Sequence, residues 1–182
     1  ECADLFYIHK FIEKLDSKRN LLGFENGVYD LENFQFRAGI PEDYISNSTK
    51  INYIELTEDD EEHVQNIELF LLQIIPNDSV REYVLRLFAS FLSGKIGQEK
   101  IHFWTGSGGN GKSKIIELFE MGFGDYSCKL PVSIFSRGRA ASNACTPELV
   151  RTKGKRFVSL QEPDSDTPFN VGLMKELTGG DT

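Results

Sequence analysis

The run FWTGSGGNGKSKIIELFE, residues 103–120, constrains this chain more than any other part of it. Gly106 to Ser113 fills the pattern G-x-x-x-x-G-K-[ST] at every fixed position. Its surroundings suit that pattern. The apolar stretch KIHFWTG before it reads as a short buried strand. KSKIIELFEMGFG after it reads as a helix ended by Gly122 or Gly124. A polyphosphate must be wrapped by backbone N–H groups, and Cβ atoms would obstruct that approach. Glycines also reach the positive-φ conformations such a loop needs. The N-terminus of the following helix adds a fixed positive end. Gly106, Ser107, Gly108, Gly109, Asn110, Gly111, Lys112 and Ser113 are therefore the candidate phosphate-binding residues. Lys112 is expected to reach the β- and γ-phosphates, and the Ser113 hydroxyl to ligate Mg²⁺.

Such a loop works with a carboxylate at the end of a neighbouring strand. In RFVSLQEPD the residues Phe157, Val158 and Leu160 predict the strand. Glu162 stands at its end as the main candidate acid, with Asp164 second. Gln161 occupies the first position of the usual acidic pair, which leaves the roles of the two acids open on the residues alone. TPELVRTKG predicts a short helix begun by Thr146 and Pro147, and PFNVGLMKELTGGD a further helix closed at Gly179-Gly180. Strand, loop, helix, strand is the beginning of an α/β parallel sheet.

The chain ahead of the loop has another character. Leu5, Ile8, Phe11, Ile12 and Leu15 fall on one helical face within residues 1–18. Asn26-Gly27 between short apolar runs predicts a hairpin, and PEDYISNSTKINYIEL continues as turn and strand. Thr57, with Asp60 three residues on, resembles a capping box. It opens a helix whose buried stripe is expected to be Val64, Ile67, Leu71 and Ile74, with Pro76 ending it. The acids at 58–62 read as a solvated helix start rather than a metal site. DSVREYVLRLFASFLSGKIG predicts a second amphipathic helix closed by Gly94 or Gly97. A boundary near residue 95 follows, with an α+β and helical module at 1–95 and the first part of a P-loop domain at 96–182.

With 182 residues, 40% hydrophobic and 26% charged, the composition is that of a globular protein. The net charge of -8 argues against a dedicated nucleic-acid surface, without excluding a local one. The one basic loop is the segment holding Arg137 and Arg139, which could touch DNA, touch a neighbouring subunit, or simply be solvated. Cys2, Cys128 and Cys145 show neither metal spacing nor a disulfide framework, which points to a reducing compartment. His9, His63 and His102 have no ligand spacing. The start is too rich in charge for a signal peptide. The missing initiator Met and the end in mid-motif predict a piece of a longer protein.

LLGFENGVYDLENFQF…PEDYISNSTKINY resembles the segment ahead of the helicase domain in viral primase–helicases of the poxvirus and giant-virus type and their phage relatives. GSGGNGKSKIIELFE, TPELVRTKGKRFVSLQEPD and NVGLMKELTGGD are similar to successive motifs of the superfamily III helicase domain in those proteins. The resemblance covers nearly all of the chain beyond residue 20. It implies an AAA+ type ATPase using ATP and Mg²⁺, assembled as a ring, usually a hexamer, and translocating on DNA in replication. It makes Gly106 to Ser113 the Walker A loop, with Lys112 and Glu162 catalytic. Ser113, Glu162 and Asp164 would serve the metal, Glu162 and Asp164 matching the family's E-x-[ED] form of Walker B. Lys175 and Gly179-Gly180-Asp181 match the motif just ahead of the DNA-contacting hairpin, though the bland reading of Lys175 is a solvated helix lysine. The polar sensor residue and arginine finger of the family are not matched within the 182 residues, which predicts weak nucleotide binding and slow turnover. No primase-like acid cluster is recognisable, so primase chemistry, if the parent protein has it, belongs before Glu1.

Two other readings compete. Residues 1–95 could be a docking or oligomerisation module beside a structural nucleotide site, using the amphipathic helices of residues 58–93. A P-loop small-molecule kinase would fit the loop but not the hairpin-and-helix module before it. A GTPase is excluded by the absence of N-K-x-D and of D-x-x-G after the loop.

Overall fold

A computed structural model describes residues 8–95, 99–136, 147–160 and 169–179. Glu162, Asp164, Arg137, Arg139, Gly180 and Asp181 lie outside the described residues, as do Cys2, Leu5 and Cys145.

Of the helix expected near the start, residues 1–7 lie outside the described residues, and the described part holds α1, Phe11–Lys14. Lys10 before it and Asp16 after it adopt left-handed backbone conformations (φ 57° and 56°), which interrupt any longer helical run. Ile8, Phe11 and Ile12 are accordingly exposed rather than stacked on a buried face.

The hairpin forms as β1, Leu21–Phe24, and β2, Gly27–Asp30, and β3, Gln35–Arg37, adds an antiparallel third strand. Its loop sits one residue earlier than the Asn-Gly signal predicts. Phe24 pairs with Gly27, so Glu25 and Asn26 make the turn. Gly27 is required by close approach instead: a Cβ there would lie 2.6 Å from the Arg37 carbonyl oxygen and 2.6 Å from the Phe36 ring. Asn26 turns outward, accepting from the Tyr53 N–H at 2.8 Å and donating to the Tyr53 carbonyl at 2.9 Å.

That pairing belongs to a segment expected as strand which forms none. After a 3-10 turn at Pro41–Asp43, residues 45–57 make no ladder. They follow the hairpin through single bonds, Thr49 N–H to the Gly23 carbonyl and Glu25 N–H to the Ile51 carbonyl. Tyr44 and Lys50 hold positive φ, which breaks the two-residue repeat of a regular strand.

A 3-10 turn at Glu58–Asp60 leads into α2, Glu61–Ile74, and Asp78–Phe91 forms α3. The Asp60 carboxylate accepts from the Thr57 N–H and hydroxyl at 3.0 and 2.9 Å, so the short acid does the work expected of the box. In the expected stripe only Leu71 is fully buried. Val64 and Ile74 are half-buried, and Ile67 is 49% exposed because α3 does not extend cover to that turn.

After the glycine loop come α4, Lys112–Phe123, and β4, Ser127–Leu130; then α5, Ser133–Ser136, and α6, Pro147–Val150; then β5, Phe157–Leu160, and α7, Val171–Thr178. β4 and β5 pair in parallel, Ser127 opposite Phe157 through Leu130 opposite Leu160. The described residues therefore form an α/β arrangement with a three-stranded antiparallel sheet and a two-stranded parallel one. The expected strand at Lys100–Gly106 is absent: its residues described as coil join no ladder, and Phe103 is 64% exposed. With no partner strand beside it among the described residues, its rings lean on α3 instead. Trp104 meets Phe88 edge-on at 5.9 Å, and His102 meets Phe91 at 6.5 Å.

Among the described residues, a core cluster draws on both sides of residue 95. Leu22, Leu71, Val84 and Phe88 pack with Ile115, Phe123, Tyr126 and Phe157. Against it the half-buried Phe119 stacks on Phe88, with ring centroids 3.5 Å apart. No helix among the described residues is long and apolar enough to cross a membrane.

Candidate functional site

The glycine loop opens α4, and its backbone behaves as its composition requires. Gly109 and Gly111 hold φ of 74° and 79°, a region L side chains rarely adopt. Around Gly108 and Gly109 nothing lies within 4 Å of where a Cβ would be, so the crest of the loop is open. The first helix amides with a partner are those of Lys114 and Ile115, which donate to the Gly111 carbonyl at 2.9 and 3.1 Å. Those of Lys112 and Ser113 precede the first turn and have no intrahelical acceptor. Among the described residues, the loop end of α4 thus presents N–H groups without an intrahelical acceptor beside an open crest.

Lys112 folds back over the loop. Its ammonium donates to the Asn110 side-chain oxygen at 2.7 Å. The same amide fills the space beside Gly106, where a Cβ would lie 2.5 Å from Asn110 Nδ2 and 3.0 Å from Lys112 Nζ. Asn110 and Lys112 thus close over Gly106 with the ends of their side chains. Ser113 is exposed on the first turn.

The fold sets where β5 points. Phe157 packs on Phe123 at the far end of α4, with centroids 5.8 Å apart. Two residues later, the Ser159 hydroxyl donates to Glu120 at 2.6 Å, three residues nearer the loop. β5 therefore advances along α4 toward the glycine loop. Glu120 is a half-buried acid on α4 that the sequence reading passed over; it also pairs with Lys129 at 2.8 Å. Its helical position between ordinary apolar neighbours gives no signal of that. Lys175 sits exposed on α7, whose first turn is capped by Asn170 accepting from the Leu173 N–H at 3.1 Å.

Residues 1–76 match the family described as D5 N terminal like. The match is to an N-terminal module and covers 76 of the chain's 182 residues. That module ends at Pro76, the residue just past α2 and its cap. Similarity to whole viral proteins extends across the full chain. A protein of Acanthamoeba polyphaga mimivirus whose name proposes a helicase is 44% identical over 182 residues, 100% of this chain and 19% of the relative. One of Invertebrate iridescent virus 6, also named for a helicase, is 35% identical over 179 residues, 97% of this chain and 18% of the relative. An African swine fever virus protein whose name proposes a primase is 27% identical over 177 residues, 95% and 18%. The chain thus spans about a fifth of the length of the curated relatives it matches.

Proposed function

We propose that this chain is the part of a viral primase–helicase that joins the D5 N-terminal-like module to the ATP site, and that the parent protein uses ATP hydrolysis to unwind DNA. The observation that carries the reading is the glycine loop itself. A full G-x-x-x-x-G-K-S run opens α4, with an open crest, two positive-φ glycines and a lysine held at its mouth by one neutral acceptor. These residues fit a polyphosphate. A Cβ at Gly108 or Gly109 would fill space a phosphate could use, and the Lys112 ammonium can exchange Asn110 for a charged oxygen, a stronger acceptor.

On this reading Gly106 to Ser113 hold the phosphates, Lys112 taking the β- and γ-phosphates and Ser113 ligating Mg²⁺. Bound Mg²⁺ would neutralise charge on the transferring group. Glu162 and Asp164 are proposed as the acids that hold that ion and orient the attacking water. The direction of β5 supports this. Glu162 follows Ser159 by three residues of sequence, just past the end of β5 at Leu160. Lys112 precedes Glu120 by eight residues, about 12 Å of helix. The division near residue 95 is kept as one of roles, with coupling module before it and nucleotide site after. DNA as substrate, and a homo-oligomeric ring of hexamer type, belong to the parent protein, as does action inside an infected host cell.

The test is calorimetric titration of Mg·ATP into residues 1–182 and into the Lys112→Ala variant. Loss of a charge-assisted contact should weaken binding at least about tenfold. Equal affinity in a folded variant would remove the cradle. The docking reading draws on one observation of its own: Ile67, Leu69, Leu72, Val80, Tyr83 and Leu85 of α2 and α3 are all 42% exposed or more. If that reading holds, Lys112→Ala leaves self-association unchanged.

A further inference from the structure

Among the described residues, the segment that matches the D5 N-terminal-like family reaches the glycine loop at Ile74. Ile74, in the last turn of α2, fills the space beside Gly111. A Cβ on Gly111 would lie 2.7 Å from Ile74 Cγ1, 2.8 Å from Cδ1 and 3.1 Å from Cγ2. Gly111 is the residue whose left-handed backbone turns the loop into α4. The same segment grips the other end of that helix. Gly124, its C-cap with φ 52°, lies against the carbonyls of Ser48 and Thr49. Asp125 next to it donates its N–H to the Ser48 carbonyl at 2.8 Å and accepts from the Ser48 N–H at 3.1 Å. Between the two grips, Ile115 is wholly buried and Phe119 stacks on Phe88 of α3. The helix that carries the loop is thus held at both ends by residues of the segment before Pro76.

We infer that Ile74 is a positioning residue for the nucleotide site: by packing on Gly111 it holds the loop in its open-crested, left-handed form, so that phosphate binding and the docking of α2 are coupled. The inference rests on the nucleotide-binding reading above. Ile74 touches no phosphate. It acts by keeping the loop in one backbone state, and a site competent only part of the time binds more weakly by that fraction. Coupling of this kind is reciprocal, so a ligand on the loop must steady the last turn of α2 in return.

The experiment compares Mg·ATP affinity of residues 1–182 in four forms: wild type, Ile74→Ala, Ile74→Val and Leu71→Ala. Leu71, one turn earlier, is more deeply buried in the same core and does not define the Gly111 contact, so its variant controls for lost stability. Each titration is made below the variant's own melting range. The expected result is an affinity loss of about tenfold for Ile74→Ala and about two- to threefold for Ile74→Val. Leu71→Ala should stay within about twofold of wild type despite an equal or larger fall in Tm. Hydrogen exchange gives a readout independent of any variant. Mg·ATP should slow exchange of the Ile75 amide, which closes α2 on the Leu71 carbonyl at 2.8 Å. Wild-type binding with unchanged affinity in Ile74→Ala and no added protection at Ile75 overturns the positioning role and leaves the nucleotide site standing. Affinity that merely tracks Tm across all three variants overturns it as well. Absence of binding to folded wild type overturns both.

Discussion

Asp43 shows how one residue can fix the base of the hairpin. It is 3% exposed, and its carboxylate takes both arms of the Arg37 guanidinium at 2.7 Å and the Ile40 N–H at 2.9 Å. The Arg37 bonds hold its carboxyl below the usual carboxylate range, against the opposing pull of burial. The sign of the pH effect follows. The unfolded chain takes up this proton first, near pH ~4. The stabilisation is therefore complete above that pH and drains as pH falls through the lower folded value. Asp43→Asn should cost roughly 1–3 kcal/mol at neutral pH, since Arg37 loses its charged partner. It should also flatten the acid limb of stability. Urea midpoints at pH 6 and pH 3 measure both effects, and an unchanged acid slope in the variant would show that other carboxylates carry it.

At the scale of the element, α4 separates two glycines that look alike in sequence. Gly122 lies in its last turn, exposed, with nothing within 4 Å of a Cβ. Gly124 lies at its C-cap with φ 52°, and a Cβ there would collide with the Thr49 carbonyl and come within 2.8 Å of the Ser48 oxygen. Gly122→Ala should therefore stabilise by about 0.5–1 kcal/mol, through helix propensity and reduced unfolded-state freedom. Gly124→Ala should destabilise by on the order of 2–4 kcal/mol, from strain and from displacing residues 48–49. Opposite shifts of the denaturant midpoint at constant slope would bear this out. Shifts of the same sign would mean that α4 does not end at Gly124.

At the scale of the molecule, Arg156 ties the parts together. It precedes β5, yet its guanidinium donates to the carbonyls of Leu21 in the hairpin and Leu92 at the end of α3. It also lies over the Tyr126 ring, 4.5 Å from the centroid. Tyr126 completes the tie, its hydroxyl accepting from the Gly23 N–H at 2.8 Å and donating to the Asn47 carbonyl at 3.0 Å. With a core cluster and a junction that both span residue 95, the described parts should unfold in a single transition. Arg156→Lys keeps the charge but loses the fork and leaves a buried carbonyl unpaired, a cost of about 1–3 kcal/mol. Trp104 is the only tryptophan and rests on Phe88 of that core. Its fluorescence and far-UV circular dichroism should therefore lose their midpoints together in the variant. Separation of the two probes would show that the halves melt independently.

Local chemistry determined much of this from sequence alone. The glycine loop and its following helix, the Thr57–Asp60 start, the hairpin and the Asn170-capped helix each depend on residues a few positions apart. Those rules act before any distant contact forms. Contacts between distant residues decided the rest. Whether Lys100–Gly106 becomes a strand depends on having a partner strand, and among the described residues its rings find α3 instead. Ile67 matches the helical period of Leu71 yet stays exposed, because periodicity gives the face and only the neighbouring helix gives the cover. Gly27 and Gly111 look like turn glycines, but β3 and Ile74 crowd them from 10 and 37 residues away, and no local pattern encodes that crowding. The Asn110–Lys112 bond needed only the loop's own curvature. Ile74 beside Gly111 is the opposite case, a neighbour that tertiary packing alone brought to the loop.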